Sequence, residues 1–194
     1  PREIMPILGT PRASILLDKK KSGSKSKPKL NKRILYAPTF RSISPDIQGK
    51  DKLRGKSEVR NDIKSTSYLP DIKILEKINF LMQNLKANFV IRLHPRDRDK
   101  ISLFDLNKFS NIQIDVIEDM QLSLLEADVL ITDYSSSYFD YLLLNRPIIF
   151  APFDLDLYLD QERGFYFDYD SHTPGVKSSN WDELLSCIEK TVSG

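Results

Sequence analysis

The sequence of 194 residues has little of what several classes of protein require. It contains one cysteine, Cys187, which excludes an intrachain disulfide framework and a cysteine zinc cluster. Its two histidines, His94 and His172, are too few for a histidine-rich metal site. No run approaches the roughly 18 apolar residues of a membrane-spanning helix. The opening Pro1-Arg2-Glu3 is not a signal peptide and lacks an initiator Met, so we expect a piece of a longer protein.

Positive charge is concentrated in one short tract. Between Asp18 and Arg33 the chain has eight basic residues against one acid, whereas the remainder carries a net charge of −5. This distribution argues against a nucleic-acid-binding surface on the folded part. The tract from Lys19 to Lys29 has no apolar residue and is typical of a solvated linker, although it could also contact anionic lipid headgroups.

The chain length and a hydrophobic content of 40% indicate one domain, or slightly more, with a packed core. We predict an interdomain stub and basic linker over 1–30 and a folded domain over 31–194. Within that domain, apolar runs that read as strands alternate with segments that read as helices. The strands are predicted at 34–37, 88–93, 112–117, 129–132 and 147–150, and the helices at 72–85, 119–126, 135–145 and 181–191 after a cap at Ser179. This alternation predicts an α/β fold with a parallel sheet covered on both faces, in which ligands bind at the carboxyl ends of the strands.

The segment that follows the predicted strand 129–132 is the most informative of these ends. Ser135 and Ser136 stand where a helix is predicted to begin, and free amides with hydroxyls at such a position can bind phosphate. The alternative is that Ser135 only caps the helix. Asp140 lies one turn further on the same face as Ser136 and could accept hydrogen bonds from a polyol or ribose, or could be a surface carboxylate.

Two other strand ends carry cationic or hydroxyl side chains. Arg92 and His94 alternate on one strand face; the guanidinium could grip phosphate, and the imidazole could move a proton or contact phosphate. His94 could equally be structural. Thr39 and Arg41 follow the first strand and could donate to a phosphate or a base, or form a turn with a surface arginine. His172 is read as a loop residue.

The remaining polar and aromatic clusters give weaker signals. The run 163–169 is rich in aromatic residues, which could stack on a base but are more typical of a packed strand. Asp154, Asp156, Asp160 and Asp168 fit no EF-hand spacing and are read as a solvated face. We therefore predict no cofactor; a divalent cation could bind, but no motif indicates one.

Taken together, these stretches resemble one family, the CDP-glycerol:poly(glycerophosphate) glycerophosphotransferases, which are teichoic-acid and related capsule polymerases. The resemblance covers about residues 8–192. Its motifs, in order, are Tyr36-Ala37-Pro38-Thr39-Phe40-Arg41, Arg92-Leu93-His94-Pro95, Asp128 to Ser136 with Asp140, and Arg163 to Tyr169 leading to Pro174-Gly175. Gly9-Thr10-Pro11-Arg12 is similar to a further family stretch, although Ala13 and Ser14 replace its Asn-Asp pair.

The resemblance implies the C-terminal, donor-binding half of a GT-B-type enzyme with Rossmann-like halves. It implies that CDP-glycerol or CDP-ribitol is the donor, a polyol phosphate the acceptor, and CMP the leaving group. By position it implies His94 as a catalytic residue and the following as substrate-binding residues: Arg12, Thr39, Arg41, Arg92, Ser135, Ser136 and Asp140. The family's His-Gly-Thr-Pro motif is not found before Gly9, so the N-terminal half is expected to be a missing partner.

Three functions remain open at this point. The first is a glycerophosphotransferase that is cytoplasmic, with peripheral association at the inner face of the cell membrane. The second is a binding module that holds CDP-glycerol without turnover. The third is a GT-B nucleotide-sugar glycosyltransferase. The residues do not choose between glycerol and ribitol, or between teichoic acid and capsule.

Overall fold

The computed structural model describes residues 14–21, 31–41, 68–97, 100, 105–161 and 168–194. Most of the predicted stub and linker over 1–30 therefore lies outside the described residues, as do Arg12, the loop 42–67 and most of the aromatic run 163–169. The exception in the stub is helix α1, Ser14–Lys21, which takes in the first three lysines of the basic tract. Leu16 of this helix is fully buried, and α1 packs beside the third helix described below.

Six parallel strands form one sheet. They are β1 Lys32–Tyr36, β2 Ala87–Ile91, β3 Ile112–Ile114, β4 Val129–Thr132, β5 Ile148–Phe150 and β6 Val176–Lys177. Their order across the sheet is β3-β2-β1-β4-β5-β6, and every neighbouring pair is parallel. The direction of winding reverses between β1 and β4, which makes the carboxyl ends of these two strands the topological switch point where such folds bind ligands.

Helices cover both faces of the sheet. They are α2 Ile72–Leu85, α3 Met120–Glu126, α4 Ser137–Leu142, α5 Leu155–Gln161, α6 Tyr169–His172 and α7 Trp181–Ser193, with a short 3₁₀ helix at Leu106–Lys108. The core on one face is built with α2 and α7, and the core on the other with α3, α4 and α6. The central strand β4 is buried at all four positions, as expected for a parallel sheet with two covered faces. The predicted α/β fold is therefore confirmed.

Helix α2 shows how local sequence fixes the elements. Asp71 accepts a hydrogen bond from the amide of Ile74 at the N-terminus. Leu75, Ile78 and Met82 recur at helical spacing and are essentially fully buried, each worth about 1.5–3 kcal/mol of apolar burial. The helix ends at Lys86, whose φ of 49° lies in the left-handed region.

Several predicted boundaries need correction. Strand β3 ends at Ile114, and α4 is limited to Ser137–Leu142. The cap of α7 is Asn180, which accepts from the amide of Glu183, whereas Ser179 donates to the Glu183 carboxylate. At the end of β3 and the start of α7 the reason is a polar side chain, Asp115 or Asn180, that finds a partner at the boundary. Past the end of α4, Asn145 has a φ of 53°, outside the right-handed helical region.

Candidate functional site

A cleft of about 1090 Å³ opens at the carboxyl ends of the strands, beside the switch point. It brings together the segments that follow β1, β2, β3 and β4. Its lining includes Thr39, Phe40, Arg92, His94, Arg96, Asp115, Glu118, Ser135, Ser137 and Tyr158. The sequence-based expectation that strand-end residues meet at one edge of the sheet is thus met for Thr39, Arg92, His94 and Ser135.

Arg41 lies buried beside the switch point, held in an ion-pair cluster. Its Nε lies 2.7 Å from Asp154 Oδ2, and its Nη2 lies 2.7 Å from Asp133 Oδ2. Its Nη1 donates to the main-chain oxygen of Thr39 at 2.6 Å. Arg41, Asp133 and Asp154 are 5%, 1% and 7% exposed, so this is a buried cluster of one cation and two carboxylates. All three guanidinium nitrogens are occupied by the protein itself.

Aromatic rings surround this cluster. The guanidinium carbon of Arg41 lies 4.8 Å from the ring centroid of Tyr68 and 4.9 Å from that of Tyr134. The Tyr134 hydroxyl donates to Asp154 Oδ1 at 2.9 Å. Burial, together with the negative charge of Asp154, raises the pKa of Tyr134 above its ordinary value. Tyr134 therefore remains a neutral donor that stabilises the Asp154 carboxylate.

Asp133 connects this cluster to the cleft. Its Oδ1 accepts from the amides of Thr39 at 2.7 Å and Tyr134 at 2.6 Å. It thereby ties the loop after β1 to the loop after β4, across the switch point. The Thr39 Oγ1 is buried and has no hydrogen-bond partner within the part of the chain that the structure describes. A cleft-lining residue with an unused hydroxyl is a candidate ligand contact.

The Arg92 guanidinium is hydrogen-bonded to other groups of the protein. Its Nη1 lies 2.8 Å from Asp115 Oδ2 and also donates to the main-chain oxygen of Ile117. Its Nη2 donates to the main-chain oxygen of Glu118 at 2.7 Å. The predicted phosphate ligand therefore fastens the loop after β3 to the end of β2, and its role as a substrate-binding residue stays a prediction.

Asp115 is the centre of this second cluster. Its side chain is fully buried and pairs with Arg33 at 2.8 Å as well as with Arg92. Burial alone would raise the pKa of Asp115. Hydrogen bonds from Ser123, Arg92 and the Ile117 amide, with the charge of Arg33, outweigh burial and hold the pKa below its ordinary value. The capture of this carboxylate by two arginines explains why β3 stops at Ile114.

His94 is exposed at the edge of the cleft, and its ring lies near that of Phe40 with a centroid separation of 5.3 Å. Its Nδ1 accepts a hydrogen bond from the amide of Arg96 at 3.2 Å. In the neutral ring the proton then resides on Nε2. With this contact in place, His94 presents Nε2 as a hydrogen-bond donor.

The serines that line the cleft after β4 are not the pair that the sequence predicted. Ser135 and Ser137 line the cleft, whereas the exposed Ser136 stands just before α4 without a side-chain cap. Ser135 Oγ accepts from the Ser137 amide at 3.3 Å and donates to Ser137 Oγ at 2.9 Å. The amides of Ser137, Tyr138 and Phe139 all bond within this turn. These three amides are therefore used within the turn, and the Ser137 hydroxyl, which accepts from Ser135, can donate to a ligand in the cleft.

Asp140 lies on α4 and is 6% exposed. Its Oδ2 accepts from Gln121 Nε2 at 3.2 Å, which links α4 to α3. Asp140 is not a surface carboxylate, and among the described residues it is not part of the cleft lining. Its predicted contact with a hydroxyl of the donor remains a prediction.

Sequence reasoning missed three features of the site. Asp154 is buried against Arg41, so its interpretation as part of a solvated face is wrong. Arg96 and Ser137 line the cleft but were not singled out. Both lie within two residues of predicted site residues, so counting every polar side chain in the strand-end loops would have found them.

No group of three potential metal-ligating side chains occurs in 14–21, 31–41, 68–97, 100, 105–161 and 168–194. Over the same ranges, none of the helices is both long enough and apolar enough to cross a bilayer. His172 is the last residue of α6 and is exposed, so its interpretation as a loop residue is wrong.

Comparison with known proteins gives consistent matches. The chain is 31% identical to the teichoic acid poly(glycerol phosphate) polymerase of Bacillus subtilis (strain 168) over 170 residues, 86% of this chain and 20% of that protein. It is 27% identical to the teichoic acid ribitol-phosphate polymerase TarL of Staphylococcus aureus over 190 residues, 93% of this chain and 30% of that protein. It is also similar to a solved structure of the wall teichoic acid polymerase TagF, a variant soaked with CDPG.

The structural match has a TM-score of 0.65 and 28% identity, and it covers 98% of this chain and 44% of the TagF chain. The chain thus spans less than half the length of each of these relatives. The match confirms the predicted GT-B-like α/β fold. The family profile of CDP-Glycerol:Poly(glycerophosphate) glycerophosphotransferase matches residues 2–193, nearly the whole sequence. The chain therefore belongs to the CDP-glycerol:poly(glycerophosphate) glycerophosphotransferase family.

Proposed function

We propose that this chain is the donor-binding part of a transferase that uses CDP-glycerol or CDP-ribitol. It would take part in moving an alditol phosphate onto a growing teichoic-acid or capsule polymer, with release of CMP. The observation that carries the proposal is the cleft at the switch point of the sheet, in a chain of this family. Its volume of about 1090 Å³ is at the upper end of ordinary ligand sites, which suits an extended nucleotide diphosphate.

In the proposed reaction a terminal hydroxyl of the acceptor attacks the β-phosphorus of the donor. A phosphorus–oxygen bond forms to the acceptor while the bond between the β-phosphorus and the bridging oxygen breaks. CMP leaves with that electron pair, and the hydroxyl proton passes to a base. The protein must supply hydrogen-bond donors to the diphosphate and a base to the hydroxyl.

The described residues are best suited to the first of these tasks. The hydroxyls of Ser135 and Ser137 line the cleft, and Thr39 adds a hydroxyl without a partner among the described residues. His94 Nε2 can donate to a phosphate oxygen while Nδ1 keeps its bond from the Arg96 amide. This geometry favours His94 as a stabiliser of the diphosphate. The base would then come from the acceptor-binding half that we propose as the partner of this chain.

Substitutions in the complete enzyme test these roles. Ser135→Ala and His94→Ala should each lower turnover, by about 100-fold where the lost group donates to the developing charge. Ser136→Ala tests the exposed serine that the sequence assigned to the same task. Folding should change little, since Ser135 is half-buried and His94 exposed. Normal turnover of the Ser135→Ala and His94→Ala enzymes would contradict the assignment.

Calorimetry on the chain itself tests the proposal as a whole. We expect binding of CDP-glycerol or CDP-ribitol and of CMP, with CMP release only when the acceptor half is present. Binding without release by any form of the protein would favour the second function, a binding module. Competition by UDP-sugars at similar concentration would favour the third, a nucleotide-sugar glycosyltransferase. Absence of binding to any of these nucleotides would contradict the proposal.

We further propose that residues 1–30 connect this domain to the acceptor half and that the basic tract places the protein at the inner face of the cell membrane. The support is the six lysines against one aspartate between Asp18 and Leu30, a net charge of +5. Co-sedimentation with vesicles that contain anionic lipid tests this. Binding should vanish with neutral vesicles, or when the lysines of the tract are replaced by glutamine. Equal binding to neutral vesicles would contradict it.

A further inference from the structure

A diphosphate that enters the cleft needs a positive charge to meet it, and the arginines that follow the strands differ in their ability to supply one. Arg41 is buried and paired with two carboxylates. Arg92 is paired with Asp115 and donates to two main-chain oxygens. Moving the Arg41 guanidinium onto a ligand would leave two buried carboxylates without their cation, which is strongly unfavourable. Moving that of Arg92 would take from the buried Asp115 one of its two arginines and from two main-chain oxygens their donor.

Arg96 is in a different position. It lines the same cleft and is exposed. Within the described ranges, its guanidinium is paired with no carboxylate; its guanidinium carbon lies 5.5 Å from the centroid of the Phe40 ring. That contact restrains the side chain over an aromatic surface without using its hydrogen-bond donors. A restrained guanidinium with free donors is suited to bidentate contact with phosphate.

The charges of the side chains that line the cleft also point to Arg96 as the source of positive charge. Asp115 pairs with both Arg33 and Arg92, and Glu118 contributes a further carboxylate to the lining, so these four side chains sum to zero net charge. Without Arg96 a dianionic ligand would therefore meet no net positive charge from these side chains. With Arg96 the balance becomes favourable.

We propose that Arg96 is the residue that neutralises the diphosphate of the donor, a role that sequence position suggested for Arg92. The proposal rests on the proposed function and names the cation of that same site. The turn that carries Arg96 also orients His94, because the Arg96 amide donates to His94 Nδ1 and both side chains contact Phe40. One short segment after β2 thus sets the position of both groups that face the phosphates.

Isothermal titration calorimetry with the 194-residue chain tests this, with CDP-glycerol, cytidine and inorganic pyrophosphate as probes. Arg96→Gln should weaken CDP-glycerol binding about 10- to 100-fold, the range for a lost charge-assisted hydrogen bond. Cytidine, which has no phosphate, should bind equally to both proteins. Arg96→Lys should recover only part of the affinity, and the dependence on salt should become less steep in Arg96→Gln. Lys108→Gln, which removes an exposed charge paired with the exposed Asp105, is the matched control.

The outcomes separate the two proposals. Equal CDP-glycerol affinity in wild type and Arg96→Gln would overturn the role of Arg96 and leave the proposed function intact. If wild type binds no CDP-alditol but binds pyrophosphate through Arg96, the proposed function fails and the anion site stands. Pyrophosphate binding that is absent or insensitive to Arg96, in a wild type that binds no CDP-alditol, would overturn both.

Discussion

Replacing Arg41 with glutamine should destabilise the fold far more than removing any surface charge. Arg41 is 5% exposed, and its loss leaves the buried carboxylates of Asp133 and Asp154 without a cation. Breaking a buried pair in this way costs about 3–5 kcal/mol. With a urea slope of about 2 kcal/mol per M, the unfolding midpoint should fall by roughly 1.5–2.5 M.

The matched control is Lys77→Gln. Lys77 pairs with Asp182 at 2.6 Å, nearly the distance of the buried pairs, but the two side chains are 53% and 74% exposed. An exposed pair contributes about 0–1 kcal/mol, so the midpoint should move by less than about 0.5 M. Both variants are compared with wild type by circular dichroism in urea. Equal midpoint shifts for Arg41→Gln and Lys77→Gln would refute the reasoning, because burial would then make no difference.

Removing only one carboxylate of the cluster should be less damaging. Asp154→Asn, which leaves Arg41 paired with Asp133, should cost about 1–3 kcal/mol in the same urea unfolding. An Asp154→Asn variant as unstable as Arg41→Gln would contradict this part of the account.

Three further predictions concern single positions. Gly175→Ala should lower the free energy of unfolding in urea by about 1–3 kcal/mol, because a Cβ there would lie 2.7 Å from the main-chain oxygen of Ile148. Gly194→Ala is the control and should be neutral. Equal free energies of unfolding for the two variants would contradict the close approach at Gly175. The depressed pKa of Asp115 contributes stability that is complete above about pH 4 and is lost as pH falls through the folded-state pKa. Asp115→Asn should therefore make the free energy of unfolding less dependent on pH below about 4. An unchanged pH dependence in that range would contradict this. Thr39→Val should change the free energy of unfolding by no more than about 0.5 kcal/mol and should weaken CDP-glycerol binding about 5- to 10-fold. Unchanged affinity would show that the Thr39 hydroxyl does not bind the ligand.

The sequence predicted five of the six strands because each of these is a short apolar run bounded by a turn signal; the two-residue β6, Val176–Lys177, was not predicted. Helix α2 was found with its bounds from the spacing of Leu75, Ile78 and Met82. Helix α3 followed from the Asp119 cap, whose side chain accepts from the Leu122 amide. These signals are local, so they can be read without knowing which elements lie next to each other.

The roles of the charged strand-end residues could not be predicted in the same way. Arg41 pairs with Asp154, 113 positions away, and Arg92 pairs with Asp115, 23 positions away. Only the folded structure shows which arginine forms an ion pair with a carboxylate of the protein and which remains available to a ligand. Arg96 shows the difference: it is less conspicuous in the sequence than Arg92 and yet more accessible to an anion in the fold.

The most direct test is a crystal structure of this chain with bound CDP-glycerol or CDP-ribitol. We predict that the diphosphate lies in the cleft, with its oxygens within hydrogen-bond distance of the Ser135 or Ser137 hydroxyl, His94 Nε2 and the Arg96 guanidinium. Arg41 and Arg92 should keep their pairs with Asp154 and Asp115. A diphosphate held by Arg41 or Arg92 instead, or bound outside the cleft, would contradict the account.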